Sequence, residues 1–340
     1  MKSFKRFCAV IIGLVFFVAG LLKLMDPVGA GLVVGEYFNF LHLSFLAGAS
    51  RFTGVAMALF ETLLGAALIS GVFPKVVRPL SLLVLAGFTL LTCVMWILNP
   101  NMDCGCFGEA VHLTHFQSFI KNVVLLVLWM VAFIPFRSVS QPTKLKYVSF
   151  SIAALSVAFF AFYSLESIPA MDFTPFSPGT TLMQAQTSPE PDSPLLSICD
   201  AEGEYCDELL ASGDLLLLSA YDPEKLSEAG MQQIADCASA AAEKGVQPVL
   251  IAAGELPGAP SNYISDRRTL MTLNRSNGGA TLLRDGMVVA KWPLRSLPKA
   301  SRLETLLSAD AAENVVKENS PKRLKLQGFL LYVTAVLLLL

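Results

Sequence analysis

The sequence predicts a multi-pass α-helical membrane bundle followed by an α/β domain outside the cytoplasm. Two observations carry this. The chain of 340 residues is 54% hydrophobic and only 15% charged, with mean hydropathy +0.58, whereas a soluble domain carries roughly 25% charged residues. Several segments also run close to the ~20 apolar residues that cross a bilayer core. The net charge of −2 gives nucleic acid no basic surface to meet. Lipid is therefore the expected environment, and proteins the expected partners.

Residues 1–6 are basic, and 7–24 form a first apolar run. No small-residue cleavage site follows it; Lys23, Asp26 and Pro27 do. It reads as a retained span that stops at Asp26-Pro27. Residues 28–50 are mixed and glycine-rich, and read as interfacial or as a short helix outside the membrane. Residues 52–73 are the second span, with Glu61 near its middle. Pro74 to Pro79 reads as a short basic turn. Spans follow at 80–98, 116–136 and 147–165, with a second basic turn at 137–146. Lys2, Lys5, Arg6, Lys75, Arg78, Arg137, Lys144 and Lys146 fall on one side. The short loops of the other side hold only Lys23, Arg51 and Lys121. The richer side is expected to be cytoplasmic. This places the chain in an inner membrane with its N-terminus inside, and the 99–115 loop and the downstream domain outside.

Residues 167–194 are rich in Pro, Ser and Thr and read as a linker. A soluble domain is expected over 195–310. It has strands at 214–220 and 247–253 and helices at 224–244 and 266–275. A hairpin follows at 280–292 around Asp285-Gly286, and a helix closes at 298–308. The order β-α-β-α-β-β-α resembles a thioredoxin fold. Residues 324–340 are a candidate sixth span, short and preceded by Lys322, Arg323 and Lys325.

The loop between the third and fourth spans is the chemical focus. Its core is Asp103-Cys104-Gly105-Cys106-Phe107-Gly108, with Asn99, Asn101, Glu109, His112 and His115 around it. Two cysteines separated by one residue can reach the Cα spacing of about 4.4–6.8 Å that a disulfide needs, and Gly105 supplies the backbone freedom. So small a ring is reducible, which points to thiol–disulfide exchange at Cys104 and Cys106. Three readings compete: a static disulfide, a metal site of Cys104, Cys106, His112 and His115, and two unrelated thiols. The static reading gains little, because closing so few residues constrains little chain. The C-x-C-x5-H-x2-H spacing is not a standard zinc pattern. Glu61, as an intramembrane carboxylate, is either functional or paired with Lys23. Asp103, Glu61 and His115 are the candidates for handling protons. Cys199 and Cys206 flank a turn and are candidates for a structural disulfide. Cys8, Cys93 and Cys237 read as buried.

Phe16-Phe17-x-x-Gly20-x-x-Lys23-x-x-Asp26-Pro27, Glu61-x-x-x-Gly65 and the Asp103–Gly108 hexapeptide together resemble the DoxX/MauE family of membrane proteins, over about residues 1–137. The hexapeptide is the most specific of these and points to the MauE-like branch. The resemblance implies a four-helix membrane bundle, here with a fifth span added. It also implies a periplasmic role in disulfide maturation of a partner, linked to methylamine utilisation, carried by Cys104 and Cys106. No bound cofactor is implied; membrane quinone is a candidate electron acceptor. The thioredoxin-like domain departs from its own family. Where a Cys-x-x-Cys would follow the central strand stands Tyr221-Asp222-Pro223-Glu224-Lys225, and Arg275–Ala280 lacks the proline that precedes the hairpin. The expectation is a redox-silent domain that docks a client or covers the membrane site.

Overall fold

The computed structural model describes residues 2–100, 102–134, 142–182, 195–256 and 262–339. Asn101 and the first half of the second basic turn, 137–141, lie outside them. The chain divides into two compact units, Met1–Glu166 with Gln327–Leu340, and Ser167–Leu326.

The first unit is helical: α1 (Lys2–Met25), α2 (Pro27–Phe40), α3 (Ser50–Ser70), α4 (Pro74–Leu98), α5 (His115–Phe133) and α6 (Lys144–Glu166). Among the described residues five helices, α1 and α3 to α6, are long and apolar enough to cross a membrane. Asp26 ends α1 and caps α2, its side chain accepting from the Gly29 N–H at 2.9 Å, with Pro27 in the first turn where no N–H is required. Gly71, at φ 78°, closes α3. Arg6 donates to the terminal α3 carbonyls of Leu68 and Ile69.

Helices α1 and α3 pack at very short range. A Cβ on Gly20 would stand 2.3 Å from Thr62 Oγ1, and one on Gly65 would stand 2.4 Å from the Phe17 nitrogen. Lipid tails are as apolar as leucine, so association rests on such close backbone approach and on interhelical hydrogen bonds. The α4–α5 pair supplies the hydrogen bonds. Trp129 Nε1 donates to Ser81 Oγ at 2.9 Å, and Asn122 Nδ2 donates to Thr92 Oγ1 at 3.1 Å.

Several boundaries differ from the sequence reading. The expected turn at Pro74 to Pro79 is the start of α4. Pro74 occupies the first turn, and Pro79 removes only one early hydrogen bond. Part of the uncertain 28–50 stretch is α2, whose Gly31 lies against Arg51 of α3. Lys144 and Lys146 of the second basic turn lie inside α6. The last apolar run belongs to a 29-residue helix, α10 (Ala311–Leu339). It is not among the five membrane-length apolar helices, because Lys322, Arg323 and Lys325 interrupt it. Its Val333 and Leu337 pack with Ala153, Val157 and Ala161 of α6.

The second unit is a five-stranded mixed sheet with helices. Its elements are β2 (Asp214–Ala220), α7 (Glu228–Ala242), β3 (Gln247–Ala252), β4 (Tyr263–Ile264), α8 (Arg267–Leu273), β5 (Gly279–Arg284), β6 (Met287–Trp292) and α9 (Ala300–Leu307). The first unit also holds one short strand, β1 (Cys106–Glu109). The strand order is β4-β3-β2-β5-β6. β2 and β3 run parallel, β3 and β4 parallel, and β5 is antiparallel to both its neighbours. The central strand β2 is Leu-rich and buried on both faces, as its continuous apolar run requires. Helix α7 begins later than its apolar pattern implied, because Ser227 caps it and Pro223 sits in a separate 3-10 turn. The expected linker is not uniform. Its described part packs on the sheet: the Gly179 N–H donates to the Val288 carbonyl at 2.7 Å, and Lys291 Nζ meets Asp172 Oδ2 at 2.6 Å. Residues 183–194 lie outside the described residues.

Candidate functional site

The Cys-Gly-Cys segment is held by neighbours on α1, α2 and α5. Gly105 and Gly108 both adopt positive φ, 59° and 61°. A side chain at 105 would collide with Val33 Cγ1 at 2.3 Å, so only glycine lets the loop lie against α2. The Tyr37 hydroxyl donates to the Cys104 carbonyl at 2.7 Å. His115 Nε2 lies 3.0 Å from the Pro100 carbonyl, tying the loop to the start of α5, where Thr114 and Gln117 form a reciprocal capping box.

These constraints bring the two sulfurs to 3.2 Å, within hydrogen-bond range. A disulfide requires about 2.05 Å, a small further movement. Cys104 is buried, while Cys106 keeps partial access. The hydrogen bond from Cys104 lowers the Cys106 thiol to about 5, against the opposing effect of burial. Lys121 and Lys23 add positive potential, and Ser118 a nearby hydroxyl. The same bond, with burial, pushes the Cys104 thiol up. The pair is thus divided into a partly accessible thiolate and a buried thiol that stabilises it.

Beside the sulfurs, Lys23 Nζ bonds both Glu61 carboxylate oxygens, at 2.9 and 2.8 Å. Glu61 is 2% exposed. The Lys23 ammonium also lies 6.0 Å from the Phe88 ring, and Lys121 lies 5.0 Å from the Phe107 ring. A cavity of about 260 Å³ connects these groups and is lined by Lys23, Glu61, Cys104, Cys106, Lys121 and Asn122 along with apolar walls.

The other sequence candidates stand elsewhere. Asp103 is exposed and faces His112 Nδ1 at 3.3 Å. His115 does not line the cavity. Among the described residues no three His, Cys, Asp or Glu side chains converge to hold a metal, so Cys104, Cys106, His112 and His115 are not assembled as ligands. The histidines are drawn away by Asp103 and Pro100. Cys199 and Cys206 are free thiols. The turn pairs Cys199 with Tyr205, and the Cys206 N–H donates to the Ile198 carbonyl. Sequence reasoning missed Lys121 and Tyr37 as parts of the site. Lys121 carried a readable signal, a cation inside a predicted span.

Five apolar helices with a dithiol loop against them define a multi-pass helical membrane protein. Residues 1–135 match the family model of methylamine utilisation protein MauE, so this part of the chain is similar to that family. The match takes in α1 to α5 and the Cys-Gly-Cys loop. No curated protein and no solved structure matches the chain.

Proposed function

We propose that the protein is an inner-membrane thiol–disulfide centre that accepts electrons from the cysteines of an extracytoplasmic client. The observation that carries this is the 3.2 Å approach of two sulfurs, Cys106 partly accessible beside Lys23 and Lys121 and Cys104 buried. In the oxidised state a client thiolate attacks the Cys106 sulfur and releases Cys104 as the leaving group. The client's second thiol then displaces Cys106, leaving the client oxidised and the pair reduced. The MauE similarity over 1–135 supports the same reading and links it to methylamine utilisation. The lysine and arginine distribution supports a loop outside the cytoplasm.

The second unit fits a thioredoxin-like, redox-silent domain. Its support is the strand order with β5 antiparallel, together with the lack of a Cys-x-x-Cys directly after β2, where Tyr221–Lys225 stands. Asp222 there is committed to Arg267 and Lys225. Such a domain serves to dock the client.

Membrane-impermeant maleimide labelling of cells, with and without reductant, tests the proposal. The pair should become labelled only after reduction, and in Cys104→Ala the Cys106 thiolate, attacking the disulfide of an oxidised client and releasing one client thiolate, should accumulate as a mixed disulfide that Cys104 can no longer resolve. A pair labelled equally in both states, with nothing trapped by Cys104→Ala, overturns it.

A further inference from the structure

The cavity beside the sulfurs has a composition that the thiol chemistry alone does not require. One end is polar: Lys23, Glu61, Lys121 and Asn122 converge with the two cysteines. The rest is walled by apolar side chains of α1 to α5, among them Val34, Phe38, Met57 and Leu85. Leu41 and Met57 line it and are also exposed, so the apolar end opens on the outer face of the helices, where lipid lies. A charged soluble disulfide has no place among these walls. An amphiphile with a polar ring and an apolar tail does. At about 260 Å³ the space lies just under the usual range of ligand pockets, about 300–1,000 Å³. It holds a ring-sized head, with the tail left outside.

We infer that this cavity receives the head of a membrane-soluble quinone, which reoxidises Cys104 and Cys106. The inference rests on the thiol–disulfide reading above and adds the electron acceptor. Two of the three Lys23 ammonium protons are on Glu61. The third, and the Lys121 ammonium, are donors suited to quinone oxygens. The step balances as follows. The Cys106 thiolate and the Cys104 thiol give up two electrons as the S–S bond forms. The quinone takes both electrons and two protons to become hydroquinone. One proton leaves Cys104, and the other comes from the aqueous side.

The test uses the full chain in detergent, reduced and freed of reductant without oxygen. Decylubiquinone is added, and hydroquinone formation and thiol loss are followed together. A parallel sample receives 4,4′-dithiodipyridine, a small soluble disulfide. The expected result is one hydroquinone per pair of thiols lost, none with Cys106→Ser, and at least a tenfold slower rate in Val34→Trp and Met57→Trp, whose indoles fill the cavity. Size-exclusion profiles matching the wild type verify that each variant is folded; Met57 is exposed enough to accept the change if Val34 does not. Formation of the Cys104–Cys106 disulfide, read at their peptide by mass spectrometry, with dithiodipyridine but not with the quinone overturns the acceptor and leaves the thiol reading standing. Its formation with neither overturns both. Undiminished quinone reduction in folded Met57→Trp overturns the cavity as the binding place.

Discussion

Removing the Cys104 thiol is the sharpest probe of the site, because its hydrogen bond is the leading cause of the low Cys106 pKa. With a midpoint of about 5, Cys106 is about 99% thiolate at pH 7, whereas an ordinary thiol is only a few per cent ionised. Cys104→Ala deletes the donor but keeps Lys121 and Lys23, so the midpoint should rise by at least one pH unit without reaching the ordinary value. Lys121→Met should raise it less. The assay is iodoacetamide alkylation of the reduced full chain from about pH 4 to pH 10, read at the Cys106 peptide by mass spectrometry. Peptide resolution is needed because the chain carries seven cysteines. The midpoint, rather than the rate, is the readout, since a weaker acid yields a more nucleophilic thiolate. An ordinary midpoint in the wild type, or one that Cys104→Ala leaves in place, refutes the division of roles between the two sulfurs.

Three further outcomes are expected. Lys23→Met strands Glu61 at 2% exposure and should cost about 3–5 kcal/mol; thermal unfolding in detergent should show the double variant Lys23→Met/Glu61→Leu recovering most of it, and additive losses would contradict the pairing. Gly65→Ala places a Cβ 2.4 Å from the Phe17 backbone and should cost about 1–3 kcal/mol by overpacking; an unchanged melting temperature would contradict the α1–α3 packing. Burial alone would push the Asp172 carboxyl up, but Lys291 and Thr174 outweigh it and hold it below the usual range. Its contribution is therefore present above the unfolded carboxylate pKa and lost as pH falls below about 4. Asp172→Asn should make residues 167–326 more sensitive to trypsin at pH 7 and flatten the acid dependence; equal sensitivity would contradict this.

How far the sequence could be read depended on how local each signal was. The bundle helices announced themselves, because a run of about 20 apolar residues has few other uses. Lys23 and Glu61 were visible as charges in apolar surroundings, although they are far apart in the chain. The Cys-Gly-Cys loop was visible because all its chemistry lies within six residues. Tyr37 was not, since it sits in a mixed apolar stretch whose helix became clear only with Asp26 and Pro27 acting as a cap. Lys121 reads as a loop charge from its place near the start of an apolar run, yet α5 begins at His115 and carries it about a turn and a half inward. The two-residue β4 is too short for any periodicity to register. The cavity depends on distances between five helices, which no single segment encodes.

The low Cys106 pKa also argues for a direction of electron flow. Lowering a thiol from the ordinary 9.0 to about 5 raises its ionised fraction at pH 7 roughly 100-fold. With a Brønsted slope of about 0.4–0.5, the same change weakens each thiolate as a nucleophile by roughly 40–100-fold. The two effects nearly cancel, so faster attack by Cys106 is not what the arrangement achieves. What remains is the stability of the departing thiolate. Once a client is joined to Cys106, its second thiol expels a well-stabilised anion, and the reduced pair is favoured over the oxidised one. Both effects make the oxidised pair an acceptor of electrons from client thiols. A centre that accepts electrons must pass them on before it can act again, and the groups nearest its sulfurs line a cavity whose other walls are apolar.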